Sequence, residues 1–167
     1  MLKINAGSGG MELEGYENVD LYRPCNHPDD MRTLATFTEH SADEILASHS
    51  LEHLGRDEGQ IALRRWHEVL KPGGRLTVIV PDIPQQIRLW LEYYEKCDGC
   101  VYGFRSQAIW GNQVYPGEFH LWGYDIRSLR HVLSEAGFTV HSIEYVEGFD
   151  LDLGVQPTSC LRAEATA

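Results

Sequence analysis

The middle of the chain carries a pattern of apolar and polar positions that predicts a helix followed by a buried strand. Apolar residues recur at helical spacing at Ile61, Leu63, Trp66, Val69 and Leu70. Asp57 and Gln60 stand three apart, as in a capping box, and predict where the helix begins. The Lys-Pro-Gly-Gly segment at 71–74 predicts where it ends. The apolar, β-branched run at 76–80, which stops at 81–82, is typical of a strand covered on both faces.

Shorter segments on either side predict an alternation of strands and helices. Strands are predicted over residues 2–4, 18–21, 44–48, 138–145 and 159–165. Helices are predicted over residues 83–98 and 125–137. Residues 31–37 are ambiguous between strand and loop, and residues 100–124 resist assignment. The alternation predicts one domain over residues 1–167, an α/β fold with a Rossmann-like, mostly parallel sheet and helices on both faces.

Composition narrows the classes of partner and the compartment. The 167 residues carry a formal net charge of −11, so a broad nucleic-acid interface, which requires clustered Lys and Arg, is not expected. No apolar run approaches the ~20 residues that cross a bilayer. The first residues do not have the basic and then apolar pattern of a signal peptide. We therefore expect a cytoplasmic protein that contacts neither membranes nor nucleic acid.

The four cysteines and eight histidines do not predict a metal site. Cys97 and Cys100 form a lone CxxC pair, whereas a structural zinc site takes four ligands, often from two such pairs. Cys25 or a histidine would complete such a site only if the fold brought it there. The histidines are scattered, and none stands at a trusted helical ligand spacing from another. We expect no metal, and reduced thiols including Cys160.

A glycine-rich turn follows the first strand and predicts a ligand site. The segment Asn5–Gly9 resembles a nucleotide-binding loop, although a plain turn has the same composition. A dinucleotide loop would have a third glycine where Glu12 stands, and Glu14 and Glu17 add further charge that repels a pyrophosphate. The pattern favours a ligand with a ribose and no phosphate. Asp20, at the end of the second strand, is suited to accept hydrogen bonds from both ribose hydroxyls.

Several motifs then follow one another in a recognisable order. They lie at Gly15–Asp20, Asp43–Ile45, Leu51–His53, Leu70–Gly74, His120–Tyr124 and Glu135–Phe138. Because these motifs occur in this order, the chain resembles the class I S-adenosylmethionine-dependent methyltransferases, and among them a small type-11-like group. The resemblance implies class I methyltransferase architecture with a shortened N-terminal part. It also implies S-adenosyl-L-methionine as the cofactor.

The resemblance also implies roles for individual residues. The loop that wraps the methionine and ribose would comprise Asn5, Ala6, Gly7, Ser8 and Gly9. Ribose and adenine would be held by Asp20, Leu21, Asp29 or Asp30, and Met31. The methionine portion would be faced by Ser48, His49 and Ser50. Asn5 stands where the family has an acidic residue, and the chain begins at the first strand. We therefore expect an open site, which a second copy of the chain could cover in a homodimer.

Methyl transfer is an in-line displacement, so holding the two reactants in line supplies much of the rate. A base near the acceptor's proton would come from His53, His49 or His120, with Asp82 and Tyr124 as further candidates. The aromatic segments 101–110 and 119–124 are expected to form the substrate wall. The expected acceptor is a small molecule, a sugar or another metabolite, and a protein acceptor is an open alternative. Two alternatives stay open: an inactive methyltransferase-like binding module, and a nucleotide-dependent oxidoreductase or sugar-nucleotide enzyme.

Overall fold

The computed structural model describes residues 1–96, 104–147 and 159–167, and within them a seven-stranded sheet forms the centre of the molecule. The strands are β1 (Lys3–Ala6), β2 (Glu17–Asp20), β3 (His27–Pro28), β4 (Ala42–Ser48), β5 (Leu70–Pro81), β6 (Thr139–Glu147) and β7 (Ser159–Thr166). The helices are α1 (Arg56–Val69), α2 (Ile83–Lys96), α3 (Phe104–Trp110) and α4 (Ile126–Glu135). Short 3₁₀ turns occupy Leu51–His53 and Pro116–Glu118.

The sheet confirms the predicted α/β fold with a mostly parallel sheet. Its order is β3-β2-β1-β4-β5-β7-β6, and β7 runs antiparallel to both β5 and β6. The pairs from β3 to β5 are parallel, so that Ile4 lies opposite Ile45 and Ile45 opposite Leu76. The carboxyl ends of β1, β2 and β4 therefore meet at one edge, which is where open α/β sheets bind their ligands.

Helix α1 packs its predicted apolar face on the core, with two local differences. Leu63, Trp66 and Val69 are buried, whereas Ile61 is 56% exposed and Ala62 takes the inward position. The predicted Asp57–Gln60 capping box is wrong, because Gly55 is the N-cap and its N–H donates to Glu58. In contrast, Asp125 caps α4 as predicted, accepting from the N–H groups of Arg127 and Ser128.

Several element boundaries differ from the prediction. The strand β5 begins at Leu70, so the 71–74 turn lies inside the strand as an irregularity of its pairing with β4. Thr77 and Ile79 are only partly buried, so β5 is not covered equally on both faces. Residues 31–37 form turns, and the unassigned 104–110 segment is helix α3. The predicted end of α2 near Asp98, and the Cys97–Cys100 pair, lie outside the described residues.

None of the helices in residues 1–96, 104–147 and 159–167 combines the length and the hydropathy that a membrane span requires.

Candidate functional site

The glycine turn after β1 needs its first glycine for steric reasons. Gly7 has φ +74°, and a Cβ there would lie 2.5 Å from Ser50 Cβ and 2.8 Å from Met31 Sδ. The N–H groups of Gly7 and Ser8 both donate to the Val19 carbonyl, which ties the turn to β2. The turn is therefore packed tightly between β2 and the residues that follow β4.

Asp20 holds the far side of the same turn. Its Oδ2 accepts from the Gly9 N–H at 2.8 Å, and its Oδ1 accepts from the N–H groups of Tyr22 and Arg23 at 2.7 Å. A carboxylate has about four lone-pair sites, so these three bonds leave it able to accept another. A Cβ added at Gly9 would meet nothing within 4 Å, which leaves this part of the turn open to a ligand.

Two adjoining cavities open at this edge of the sheet. The smaller, about 250 Å³, lies against Gly7, Gly9 and Asp20 on one side and Tyr115 on the other. The larger, about 460 Å³, extends past Gly7 towards β4, β5 and α3. His49, His53 and Tyr115 line both cavities, together with Gly7 and Gly9, so the two form one continuous cleft. Its size is in the range of small-molecule sites.

The cleft gathers most of the predicted cofactor residues, though not all in one place. Those in the smaller cavity are Gly7, Gly9, Asp20, Leu21, Asp30, Met31, His49 and Ser50. Asn5, Ser8 and Ser48 line the larger cavity instead. The Asn5 amide donates to the Met11 carbonyl and to Asn18 Oδ1, so it holds the loop to β2. Ala6 is buried in the core, and Asp29 accepts from Thr36.

An arginine missed by the sequence reasoning braces the predicted adenine side. Arg32 makes a bidentate contact to Asp30, and its Nη1 donates to Glu58 Oε1 at 2.6 Å. Burial alone would raise the pKa of Asp30, but the Arg32 hydrogen bonds and charge hold that pKa below its ordinary value. Asp30 is thus ionised and its oxygens are already engaged. The Asp30 side chain is therefore held in place as part of the wall of the smaller cavity.

A buried carboxylate was also missed, although its motif was visible. Glu52 follows β4 in the 3₁₀ turn and is 1% exposed. Neither of its carboxylate oxygens has a hydrogen-bond partner among the described residues, and the charge is met by His49 Nδ1 at 3.4 Å from Oε1. His49 Nε2 in turn lies 3.8 Å from Cys160 Sγ on β7. Only the fold brings Cys160 there, and the sequence carried no signal of it.

Burial and mutual contacts change the pKa values of His49, Glu52 and His120. Burial lowers the pKa of His49, but its hydrogen bond to Cys160 and its close contact with the Glu52 carboxylate outweigh this and raise the pKa to about 10. Burial raises the pKa of Glu52, but the close contact with His49 and its positive charge outweigh burial and hold that pKa below its ordinary value. Burial also lowers the pKa of His120. His49 and Glu52 therefore form an ion pair at neutral pH.

The three predicted histidines lie together at the junction of the cavities. The His53 and His120 rings meet edge to face, with centroids 4.9 Å apart, and His120 lines the larger cavity. Asp82 and Tyr124, the further base candidates, are buried where β5 ends and do not line either cavity in the described part of the chain. Geometry therefore favours the histidines over these two groups as groups that meet a ligand.

The aromatic segments expected to form a substrate wall reach the cleft only at some positions. Tyr115, His120 and Leu121 line the cleft, and the end of α3 contributes Gln107 and Ala108. Trp110 and Trp122 are exposed side chains outside the described cavity linings. Residues 101–103 lie outside the described residues.

Comparisons with known proteins fit this architecture. A family model described as a methyltransferase domain matches residues 10–143. No curated protein sequence matches the chain. One similar structure is the 1,6-didemethyltoxoflavin-N1-methyltransferase of Burkholderia thailandensis, solved with 1,6-didemethyltoxoflavin and S-adenosylhomocysteine bound. It has 19% identity and a TM-score of 0.64, with 99% of this chain and 70% of that chain covered.

Two further solved structures show the same fold. A SAM-dependent methyltransferase of Methanosarcina mazei is 17% identical with a TM-score of 0.65, over 99% of this chain and 90% of that chain. A SAM dependent methyltransferase of Archaeoglobus fulgidus is 15% identical with a TM-score of 0.65, over 99% of this chain and 85% of that chain. At these identities the likeness establishes the fold, and the substrates of those proteins remain their own.

Proposed function

The chain belongs to the methyltransferase domain family, and from that premise we propose that it transfers a methyl group from S-adenosylmethionine to a small-molecule acceptor. The observation that carries the proposal is the cleft at the carboxyl ends of β1, β2 and β4. There, a sterically required glycine turn, an aspartate at the end of β2 and a histidine cluster face one continuous space.

The residues of the smaller cavity fit the cofactor by size and chemistry. Asp20 retains acceptor capacity for ribose hydroxyls, and Leu21 and Met31 offer apolar surface for a flat base. The buried hydroxyls of Ser8 and Ser50 have no hydrogen-bond partner among the residues described, so polar atoms are available next to the glycine turn. The charged His49 lies there too and suits a carboxylate such as that of a methionine portion.

The chemistry required of the protein is positioning and proton removal. When bound, S-adenosylmethionine supplies the methyl carbon, to which the acceptor's lone pair forms a bond while the carbon–sulfur bond breaks and leaves its electron pair on sulfur. We assign His53 and His120 as the groups that meet the acceptor and could take its proton. His49 also lines this cavity, but it is already protonated in its ion pair with Glu52, so its role here would be that of a fixed positive charge. The larger cavity, beside the histidines, would hold the acceptor in line with the sulfur.

The acceptor proposed for this cavity is a polar metabolite, such as a sugar. The larger cavity combines Ser48, Gln107 and His120 with apolar surface from β4 and β5. A net charge of −11 disfavours an anionic polymer as acceptor.

The alternative functions are less well supported. An inactive binding module would not require both a cofactor cavity and an adjoining acceptor cavity. A dinucleotide enzyme would need space for a pyrophosphate beside the turn. In this chain Glu12 and Glu14 follow the turn instead, and both are carboxylates.

We also propose that a second copy of the chain covers the mouth of the cleft. Leu21, Tyr22 and Leu121 line the smaller cavity and are each more than half exposed. Sedimentation of the wild type as a dimer, and of Leu121→Asp as a monomer, would support this arrangement. A wild type that sediments purely as a monomer, with and without S-adenosylhomocysteine, would refute it.

Calorimetric titration tests the proposed function. We expect the purified chain to bind S-adenosylmethionine and S-adenosylhomocysteine in the micromolar range and NAD not at all. Asp20→Asn should weaken both by tenfold or more, about 1.4 kcal/mol. Asp57→Asn is the matched control, because this exposed aspartate on α1 lines neither cavity of the cleft. A folded chain that binds neither compound, or that binds NAD instead, would overturn the proposal.

A further inference from the structure

Glu52, His53 and His120 form a compact cluster of metal-ligating side chains. One ligand atom from each lies within 4.8 Å of those of the other two. The cluster is assembled by backbone contacts between distant segments: the N–H groups of Leu121 and Trp122 both donate to the Glu52 carbonyl. The spacing along the chain concealed this arrangement, and it is why the sequence predicted no metal.

Glu52 supplies the independent sign that a ligand belongs here. Its side chain is almost fully buried, and both carboxylate oxygens lack hydrogen-bond partners within the described ranges. Burying a carboxylate is costly unless it is paired or coordinates a metal. The ion pair with His49, at 3.4 Å from Oε1, offsets the charge of Glu52 but supplies no hydrogen bond, so both oxygens keep lone pairs for a further ligand.

The histidine hydrogen bonds leave lone pairs for a metal. His53 Nδ1 lies 3.1 Å from the Phe119 carbonyl, so it must carry the proton, and Nε2 keeps its lone pair. His120 Nδ1 is buried with no hydrogen-bond partner in the described part of the protein, so this atom can also offer a lone pair. Metal-ligating histidines typically donate their second ring N–H to a carbonyl, as His53 does here.

We propose that Glu52, His53 and His120 bind a divalent transition-metal ion at the junction of the two cavities. Two imidazoles and one carboxylate suit Zn²⁺, Mn²⁺ or Fe²⁺ better than Mg²⁺ or Ca²⁺, which prefer all-oxygen sites. Zn–N and Zn–O bonds of about 2.0–2.2 Å require the ligand atoms to draw closer together than in the ligand-free structure. Three protein ligands leave at least one coordination position open.

The open position would face the acceptor cavity. His53 lines both cavities and His120 lines the larger one, so a ligand held by the ion would lie beside the proposed methyl acceptor site. This part rests on the proposed function, and it narrows the acceptor to a molecule with a hydroxyl oxygen that can bind the ion. With the lone pairs of His53 and His120 on the metal, the ion would replace them in activating the acceptor, by orienting it and lowering the pKa of its hydroxyl group.

Metal titration of the chelator-treated chain tests the site without any methyl transfer. We expect one equivalent of Zn²⁺ to bind by calorimetry, and Glu52→Gln and His120→Gln to weaken it about 100-fold or more. His131→Gln, which alters an exposed histidine on α4, is the control and should bind Zn²⁺ as tightly as the wild type. No Zn²⁺ or Mn²⁺ binding would overturn the proposal, and so would equal binding by all variants, for example at Cys97 and Cys100.

A second measurement covers the case in which a ligand variant fails to fold. Co²⁺ added to the wild type should give the intense visible absorption of a low-coordinate site with protein nitrogen ligands. A spectrum that shows nothing beyond the weak absorption of hydrated Co²⁺ would overturn the proposal. Titration of the same metal-free sample with S-adenosylhomocysteine separates the two proposals. Cofactor binding without metal binding contradicts the metal site, whereas metal binding without cofactor binding contradicts the proposed function.

Discussion

Replacement of Gly7 by alanine tests the packing on which the cleft depends. The new Cβ would lie 2.5 Å from Ser50 Cβ and 2.8 Å from Met31 Sδ, at a φ of +74°. The left-handed backbone costs about 1–2 kcal/mol for a residue with a Cβ. Overpacking against buried neighbours costs about 1–3 kcal/mol more. The variant should therefore lose about 2–5 kcal/mol of a total stability of about 5–15 kcal/mol.

Gly9→Ala is the matched control because it isolates the backbone effect. Gly9 also has a positive φ, +59°, but its Cβ would meet nothing within 4 Å. We expect a loss of only about 1–2 kcal/mol for this variant. It should nevertheless weaken S-adenosylhomocysteine binding, because Gly9 lines both cavities and the new methyl group would take up space beside the proposed cofactor site.

Urea unfolding followed by far-UV circular dichroism measures both variants. The unfolding midpoints should fall in the order wild type, Gly9→Ala and Gly7→Ala, with unchanged slopes. Adding Ser50→Gly to Gly7→Ala should restore part of the loss, since it removes the nearer clashing atom. Equal stability of Gly7→Ala and Gly9→Ala would refute the steric argument.

Three further predictions concern residues that hold the cleft and sheet. Glu44→Gln should cost about 1–3 kcal/mol at pH 7, because Glu44 accepts from Tyr16 and Arg75. Burial raises the pKa of Glu44, but the Tyr16 and Arg75 hydrogen bonds hold it below the ordinary 4.5. The difference in unfolding free energy between wild type and Glu44→Gln, measured in urea, should thus be largest above pH 4.5 and vanish as the pH falls through the lowered pKa. A difference that persists in acid would contradict this. Trp66→Phe should lower the free energy of unfolding by about 2–4 kcal/mol, because it removes the indole N–H that donates to the Met31 carbonyl at 2.7 Å in a packed core. It should also weaken S-adenosylhomocysteine binding in calorimetry, and unchanged stability would argue against a structural role for the Trp66–Met31 hydrogen bond. Arg32→Met should change stability by less than ~1 kcal/mol, and by less still in high salt, because salt screens the partly exposed ion pairs of Arg32 with Asp30 and Glu58. A large loss of stability in thermal unfolding that does not depend on salt would contradict this.

The fold was accessible from the sequence because its strongest local patterns are long and consistent. The apolar face of α1 and the run at 76–80 lead to a helix between parallel strands, and Asp125 caps α4 as its position predicts. The predicted capping box failed because the helix begins at Arg56 with Gly55 as its N-cap, so Asp57 lies within the first turn and Glu58 takes the capping-box position. Glycine carries no side chain that would mark it as a cap in the sequence. The boundary at Leu70 failed because strand pairing extends through the Pro-Gly-Gly segment.

The site was only partly accessible, for a different reason. The glycine turn, Asp20 and His53 are close in sequence to strand ends, so the rule that ligands bind at carboxyl ends locates them. Arg32 contacts Glu58 and Cys160 contacts His49 across long stretches of chain, and no local pattern encodes these contacts. Glu52 pairs with the nearby His49, but its burial depends on the whole fold. His120 reaches the site because its loop is bonded to the Glu52 carbonyl.

A crystal structure of the chain with S-adenosylhomocysteine is the most direct test of the proposed function. We expect electron density for the compound in the smaller cavity, with its ribose hydroxyls on Asp20 and its backbone contacts at Gly7 and Gly9. The amino acid portion should lie towards His49, leaving the larger cavity and the histidines free for an acceptor. A structure that places the compound elsewhere, or crystals that take up none at saturating concentration, would contradict the account.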